Sequence, residues 1–432
     1  MPARPRRLPV RPDLTQVKHQ AKDLLKLIRA GDAEALELLR AFHPDPSDPA
    51  VTRLADAQLA LARCYGASSW PRLVQSCELV DAIWEDDPGT IRRLVLANPD
   101  LLHEDAGIGN TNWGPPLSYA ANVGRDRIIQ LLYEMGARDL RHAIDRAILQ
   151  SRVGTARMLY DLLGRPRLPG DAFGSPAYTL SVSGTALLFE LGAELPVQDG
   201  KRTAPVDVVL ESDSRRPEAV HQILAMYAEH GFDFPDTAPM AVFRGRPDLL
   251  ERLVQRDPGL LTRTFRYEEL FPPELGCGPE SLPRTTLHGA TLLHLCVEFE
   301  ELETARWLLD QGVSPDARAA VDGGGFGGHT ALFGAVVGYP NFWMNFTGGW
   351  SRPKDPKGEP FARLLLERGA DPNARASMRE RIGYGGDEYR LHRDITPLRW
   401  GGMFHNRLIV SEPAMSVVRK FGGTEAGATP PA

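Results

Sequence analysis

Histidine and aspartate side chains near the C-terminal end of the chain are, by type, the residues best suited to acid–base chemistry. His329, His392, Asp394 and His405 all fall close to predicted turns or helix starts. A histidine beside a carboxylate can exchange a proton near neutral pH, so these four define a candidate site. The sequence supplies no matching nucleophile, because it contains no Gly-x-Ser-x-Gly, no His-Glu-x-x-His and no cysteine in a reactive context. We therefore predict a non-enzymatic protein in which these side chains contact a partner or a ligand.

A second polar group has a spacing that could hold a metal ion. His294 and Glu298 lie four residues apart on one predicted helix, which places both side chains on the same face. The acidic residues that follow, Glu300, Glu301 and Glu303, straddle the turn to the next helix, where carboxylates commonly stay solvated or favour the helix N-terminus. The spacing alone is a weak signal, and we predict neither a metal nor a cofactor.

The segment 339–350 is unusually rich in aromatic side chains. Six of its twelve residues are aromatic or methionine, and such a run must pack on the chain itself or on a partner because water does not tolerate it in the open. Two interpretations stay open, a lid on neighbouring turns or a surface that contacts a ligand or partner. The candidate contact residues in this segment and in two nearby loops are Phe326, Phe342, Trp343, Phe346, Trp350 and Tyr384.

Composition narrows the classes of protein to which the chain can belong. The 432 residues are 42% hydrophobic and 25% charged, as in folded globular proteins, and the net charge of −6 gives no general attraction to nucleic acid. No apolar run is long enough to span a membrane or to serve as a secretory signal. Four widely spaced cysteines without a Cys-x-x-Cys pair predict neither a disulfide framework nor a zinc knuckle. We expect a cytoplasmic protein that binds neither nucleic acid nor membrane.

A repeated phrase predicts the elements that must position these side chains. A Thr-x-Leu turn, an alanine-rich helix, a helix with paired leucines and a Gly-Ala/Val-x-x-Asp/Asn ending occur at 291–316 and again at 330–373, and the turn returns at 396–398. Gly312 and Gly369, which close the second helix of the two full copies, are expected in the left-handed conformation. Repeated helix–turn–helix units stack into a solenoid, and such arrays usually work through their surfaces.

The repeated phrase resembles the ankyrin repeat, a unit of about 33 residues that carries Thr-Pro-Leu-His-x-Ala and Leu-Leu-x-x-Gly-Ala-x-x-Asn. The resemblance covers roughly residues 79–420 and is most specific at 112–139, 286–316 and 329–373. It implies an all-α ankyrin-repeat solenoid with short β-hairpin turns, in which hairpin tips and first helices form a concave face. It also implies structural hydrogen bonds for His294, which stands at the histidine of the motif.

The predicted plan of the chain has two parts. Residues 1–78 lack the repeat phrase and are expected to form an N-terminal helical cap, similar to the helices ahead of some bacterial ankyrin arrays, with Asp13 and Asp32 as helix N-caps. Residues 79–432 are expected to form an ankyrin-repeat solenoid of about eight or nine units. The C-terminal loop insertions that interrupt it lie near 262–288, 317–329, 339–360 and 374–394.

The insertions are where we expect function, because the regular copies explain only the fold. We predict a protein–protein interaction scaffold that binds a partner of unknown identity through its concave face and enlarged C-terminal hairpins. The alternative is an atypical array that binds a small molecule, or acts on one, in a pocket under the aromatic insertion 339–350. An open groove would favour the first and a closed pocket with convergent polar groups the second. Asp394 also has a second interpretation, because the resemblance implies that it opens a hairpin turn.

Overall fold

Helices dominate the computed structural model of this protein, which describes residues 5–46, 48–108, 112–212, 214–339, 357–383 and 385–425. The chain divides into two compact units after Arg167. In the first unit the helices are α1 (Leu14–Arg29), α2 (Ala33–Phe42), α3 (Leu54–Cys64), α4 (Trp70–Trp84), α5 (Pro88–Ala97), α6 (Pro116–Val123), α7 (Asp126–Glu134), α8 (Leu140–Leu149) and α9 (Val153–Leu162).

The second unit contains shorter helices and two pairs of strands. Its helices are α10 (Gly174–Tyr178), α11 (Val182–Glu190), α12 (Val206–Leu210), α13 (Pro217–Glu229), α14 (Ala238–Phe243), α15 (Pro247–Arg256), α16 (Tyr267–Leu270), α17 (Leu292–Glu298), α18 (Leu302–Asp310), α19 (Ala331–Val336), α20 (Gly358–Glu367), α21 (Pro397–Met403) and α22 (Glu412–Lys420). Its strands are β1 (Val197–Gln198), β2 (Lys201–Arg202), β3 (Ala376–Arg381) and β4 (Tyr389–Ile395), paired in sequence order as two antiparallel hairpins. The predicted all-α class is confirmed.

Local sequence signals account for where several helices begin and end. The Asp13 carboxylate accepts hydrogen bonds from the backbone of Thr15 and Gln16, and Asp32 accepts from Ala35, so both predicted N-caps are confirmed. Gly312 and Gly369 have φ angles of 90° and 91°, the left-handed conformation that ends the second helix of a unit.

The first four helices bury a common hydrophobic core. Val17, Ile28, Leu39, Leu61 and Leu73 are representative of it, and each is almost fully shielded from solvent. This packing agrees with the amphipathic pattern of the leader, in which one face of each helix is apolar. The boundary predicted at residue 78 falls inside α4, which continues to Trp84, and the division of the chain into a cap and a solenoid stays a prediction.

The predicted insertions each have their own local structure in the second unit. Residues 262–288 hold the short helix α16 and extended loops. Residues 317–329 fold back through isolated bridges of Arg318 with Thr330 and Val321 with Gly327. Residues 374–394 form the β3–β4 hairpin, a longer pair of strands than the short turns implied by the resemblance.

All four cysteines lie within the described ranges and are buried thiols. Burial raises the pKa of each, to about 11 for Cys77 and to about 12 for Cys277, because an apolar surrounding disfavours the thiolate. Among the described residues, no helix combines the length and the apolar character needed to cross a bilayer.

Candidate functional site

Three of the predicted insertions surround one cavity of about 500 Å³ in the second unit. Its lining combines arginine and acidic side chains with two aromatic rings. The lining residues are Arg266, Glu268, Glu280, Leu282, Arg284, Thr286 and His288 from the first insertion, Ala320, Val321, Asp322, Phe326 and Gly327 from the second, and Arg379, Arg381 and Tyr389 from the β3–β4 hairpin, with Gly289. Stretches that the repeat does not need are therefore brought together at one place.

The β3–β4 hairpin forms one wall of the cavity and has two unlike faces. Arg379 pairs with Leu391 and Arg381 with Tyr389 across the two strands, so these side chains project on one side, which we call the outer face. The alternate residues project on the other side, the inner face, where Met378, Glu380 and His392 are buried. Arg393 follows His392 by one residue and belongs to the outer face.

A buried carboxylate anchors the inner face. Glu380 has no solvent-exposed surface, and its two oxygens accept hydrogen bonds from His392 Nε2–H at 2.8 Å and from His405 Nδ1–H at 2.7 Å. The backbone N–H of His405 donates to the same carboxylate at 2.6 Å. Burial by itself would raise the pKa of Glu380, but the hydrogen bonds from His392 and His405 outweigh it and lower that pKa below its ordinary value. The hairpin is thereby tied to the segment that follows α21.

The outer face carries cationic and aromatic groups in alternation. The guanidinium carbons of Arg379 and Arg393 lie 4.3 and 4.4 Å from the centre of the Phe326 ring, so this ring is held between two cations. Arg379 also pairs with Asp322. Arg381 donates to the Tyr389 hydroxyl at 2.6 Å. Within the described part of the chain, no carboxylate forms an ion pair with Arg381 or Arg393, which leaves the outer face with uncompensated positive charge.

The floor of the cavity is fixed by a fully buried ion-pair network. Arg284 and Arg215 each donate to Glu298 Oε1 at 2.8 Å. Glu280, which also lines the cavity, accepts from the Thr286 hydroxyl and from the Leu287 backbone, each at 2.9 Å. Buried charges need such pairing because an unpaired one would be too costly to keep from water. Glu298, whose spacing from His294 could suit a metal, therefore uses its Oε1 oxygen to bind these two arginines.

The predicted histidines fall into two separate groups. His392 and His405 meet at Glu380, a residue that the sequence interpretation did not select. His329 lies elsewhere: its Nε2–H donates to the Thr286 carbonyl at 3.0 Å, and its own carbonyl accepts from His294 Nε2–H at 3.1 Å. His294 in turn accepts at Nδ1 from the Thr291 hydroxyl at 2.8 Å, which is the structural role implied by the resemblance.

Asp394 does not face the histidines. It is exposed, has a φ of 50° at the irregularity where the β3–β4 register shifts, and pairs with Arg375 at 2.6 Å. These contacts fit its interpretation as a turn residue. Of the aromatic candidates, Phe326 lines the cavity. Five candidates lie outside the described residues, namely Phe342, Trp343, Phe346, Trp350 and Tyr384.

The residues of the candidate site that sequence reasoning missed are the arginines and Glu380 of the hairpin. The available signal was the density of arginine in the fourth insertion, at positions 375, 379, 381, 390 and 393. It was masked because acidic residues of the same segment nearly balance that charge, and only the strand alternation shows which charges share a face.

A serine, a histidine and an aspartate also meet in the first unit. The Ser118 hydroxyl donates to the Asp139 carboxylate, and His142 Nδ1 lies 3.0 Å from the same hydroxyl. A nucleophilic triad requires the carboxylate to orient the histidine. Here the carboxylate binds the serine instead, and Ser118 is fully buried, so the group holds a turn in place. Across the described ranges, no three side chains that favour metals cluster closely enough to hold an ion.

Comparison with known proteins points to the repeat seen in the sequence. The family model described as "Ankyrin repeat" matches residues 288–320, which contain α17 and α18. The crystal structure of the human ASB11 ankyrin repeat domain is 13% identical over 72% of this chain and 99% of that chain, with a TM-score of 0.23, a value at which the likeness carries no argument. No curated protein is significantly similar to the chain. The family match confirms the predicted repeat where its motif is most complete.

Proposed function

We propose that this chain, an ankyrin-repeat protein, is a non-enzymatic scaffold that binds a protein partner at the outer face of the β3–β4 hairpin and the adjoining cavity. Ankyrin repeats are generally protein–protein interaction modules. One observation carries the proposal for this chain: Tyr389 and Leu391 are 42% and 58% exposed, while the charged Glu380 of the paired strand is buried. A hairpin that buries a carboxylate and exposes two large apolar side chains offers a surface for another molecule.

The residue types of the outer face support the same proposal. Arginine and tyrosine are enriched in protein interfaces and among the residues that contribute most to binding. Val321, from the neighbouring insertion, adds a third exposed apolar side chain beside the cavity. The anchored inner face keeps this surface rigid, which reduces the entropy lost on binding. The concave face implied by the repeat would extend the contact.

A photo-crosslinking experiment tests where the partner binds. Benzoylphenylalanine would be placed at Leu391 and, as a control, at Leu96, a still more exposed leucine of the first unit. We expect proteins of the native host to be captured from position 391 and not from position 96. If the same proteins were captured from both positions, the crosslinking would be nonspecific, and the outer face could not be assigned as the partner-binding surface.

Charge reversal then tests the chemistry of the face with the captured partner. Arg381→Glu and Arg393→Glu together should weaken partner binding by about tenfold or more. The new carboxylates would repel the acidic groups of a partner that fits the positive outer face. Arg263→Glu reverses an exposed charge that lies outside the cavity lining and is paired with Glu269, and it should have a small effect on partner binding. Equal losses from both changes would contradict a localised face.

Binding of a small molecule in the cavity is a second candidate function. Its volume of about 500 Å³ and its convergent polar groups are typical of ligand pockets. The cavity differs from the pocket predicted under residues 339–350, most of which lie outside the described residues.

A cavity-filling variant separates the two candidate functions. Leu282→Trp would fill the space, while Leu408→Trp makes the same change at an exposed position outside the lining. If the cavity is the functional site for a small molecule, only Leu282→Trp removes ligand binding, measured by thermal shift against a metabolite library. If the outer face is the site, the captured partner binds both variants.

A further inference from the structure

The outer edge of strand β4 is the part of the hairpin whose backbone is left unused. The two-stranded sheet has the order β3–β4. The far side of β3 receives the neighbouring insertion through the Gly327 N–H, which donates to the Ser377 carbonyl at 2.7 Å. Among the described residues no strand lies along the far side of β4.

The pairing register shows which backbone groups of β4 point outward. The Ile382 N–H donates to the Glu388 carbonyl at 2.9 Å, which makes those two residues a hydrogen-bonded pair. In an antiparallel pair, hydrogen-bonded and non-hydrogen-bonded positions alternate. Glu380 with Arg390 is therefore a bonded pair, whereas Arg381 with Tyr389 and Arg379 with Leu391 are not. The N–H and C=O groups of Tyr389 and Leu391 thus point away from β3.

The side chains along this edge are also exposed. Residues 389–391 are all solvent-exposed, and so are Arg393 and Asp394. An exposed edge with apolar side chains is a template for pairing with another extended segment, and proteins usually protect such edges. Arg390 and Arg393 supply charge at the edge. This charge disfavours the antiparallel register of two identical copies that pairs Tyr389 with Leu391, because the two Arg390 side chains would then face one another.

Charge indicates what kind of segment the edge would accept. Arg393 and Arg390 project on opposite faces of β4, so both faces of an added strand would meet a guanidinium group. Asp387 and Glu388 lie just before the strand, and Asp394 is already paired with Arg375. The positive potential is therefore concentrated between 390 and 393, where acidic side chains of an incoming strand would be stabilised.

We propose that an extended acidic segment of a protein partner adds to β4 as a third strand of the hairpin sheet. This inference rests on the proposed partner-binding function and specifies how the surface is used. Main-chain hydrogen bonds to Tyr389 and Leu391 hold the segment, and Arg390 and Arg393 select its acidic side chains. Apolar side chains of the segment pack on Tyr389 and Leu391.

Amide hydrogen exchange tests the edge in the full-length protein. In the free protein, the Arg390 amide should exchange slowly because it bonds to β3, while the Tyr389 and Leu391 amides should exchange fast. The probe is a peptide of five Asp-Val repeats with blocked ends, and a Lys-Val peptide of the same length is its control. We expect only the acidic peptide to slow the Tyr389 and Leu391 amides, with an affinity that falls as salt is added.

A proline variant isolates the backbone contribution. Leu391→Pro removes an outward N–H without breaking a bond to β3, and proline is tolerated at such edge positions. Leu391→Ala removes the side chain and keeps the N–H. We expect Leu391→Pro to lower the affinity for the Asp-Val peptide by about tenfold and Leu391→Ala to lower it by about threefold or less. Unchanged protection of the Arg390 amide in the proline variant verifies that the hairpin is intact.

The outcomes distinguish this inference from the proposed function. If charge reversal at Arg381 and Arg393 abolishes binding of the crosslinked partner while Leu391→Pro binds it normally, the outer face stands as a docking surface and strand addition is overturned. If Tyr389 and Leu391 become protected with rising protein concentration alone, the occupant is a second copy and the acidic segment is overturned. Equal binding of the acidic and basic peptides would likewise overturn the charge selection.

Discussion

Two pairs of histidines in the second unit show how differently the same residue type can be used. His294 and His329 are buried at the turns of successive repeats and bond to backbone carbonyls. His392 and His405 converge on the carboxylate of Glu380. The first pair is held neutral by its surroundings, whereas the second pair faces a negative charge.

The two pairs differ in what surrounds the imidazole rings, and the surroundings of the first pair exclude it as an acid–base group. Burial lowers the pKa of His294 to about 4 and that of His329 to about 3, because an apolar interior disfavours the imidazolium. Such histidines do not exchange protons near neutral pH. The pair at Glu380 is equally structural in its contacts, since it ties the β3–β4 hairpin to the segment after α21.

Acid should destabilise the protein mainly through the neutral pair. Between about pH 6.5 and the lowered folded-state pKa values, His294 and His329 are protonated in the unfolded chain but neutral in the folded one. The free energy of unfolding therefore falls as pH falls. Each histidine contributes about 1.4 kcal/mol per pH unit in that range. Urea unfolding between pH 7 and pH 4, followed by circular dichroism, measures the slope.

Single glutamine variants assign that slope to its source. His329→Gln should remove about half of it, while His230→Gln, at an exposed histidine of the same unit, should leave it unchanged. A slope that is identical in all three proteins would mean that the buried pair does not control acid stability.

Removal of the Glu380 carboxylate should have the next largest effect. Glu380→Ala leaves the buried His392 and the half-buried His405 without their acceptor, and we expect a loss of about 3 kcal/mol in the free energy of unfolding. Glu380→Gln keeps one acceptor oxygen and should lose less. Since hydrogen bonds lower the Glu380 pKa, its stabilisation is present above the ordinary carboxyl pKa and is lost as pH falls through the folded value.

The same variants test whether the hairpin depends on this anchor. Amide exchange of β3 and β4 should accelerate in Glu380→Ala, while the amides of α17 should change little. Uniform acceleration across the second unit would contradict the division into two independent pairs.

The smallest expected effect concerns the link between the two pairs. Trp400 Nε1–H donates to the Thr285 hydroxyl at 2.9 Å, and the Trp400 ring centre lies 5.6 Å from that of His392. The carbonyl of Thr286, which follows Thr285, accepts a hydrogen bond from His329. Trp400→Phe keeps most of the packing and removes the hydrogen bond, which should cost about 1 kcal/mol. Combined with His329→Gln, additive losses would show that the pairs are independent, and a coupling energy would show that residues 285–286 connect them.

The sequence predicted a residue's role best where that role depends only on neighbouring residues in the chain. Thr291 and His294 belong to a motif whose hydrogen bonds are local, and Gly312 closes a helix, so both roles could be predicted from the order of residues alone. The positions of the insertions stay a prediction, which rests on the interruption of a known period.

The candidate site was less predictable, because its residues break the usual pattern of strands. In Tyr389–Ile395 the ordinary alternation rule would bury Tyr389 and Leu391 and expose His392, whereas the structure does the reverse. The reversal depends on Glu380 and His405, which lie 25 residues apart in sequence and whose pairing no local pattern indicates. Long-range polar pairs of this kind decide the orientation of the hairpin.

The buried thiols have a practical consequence for studying this protein. Maleimides and iodoacetamides react with thiolate, and a pKa of about 11 leaves roughly one part in ten thousand of Cys77 as thiolate at pH 7. A cysteine introduced at the exposed position 391 would therefore react far faster than the four natural ones. A fluorophore or spin label could be attached at the hairpin edge of the otherwise unaltered protein, without first replacing its native cysteines.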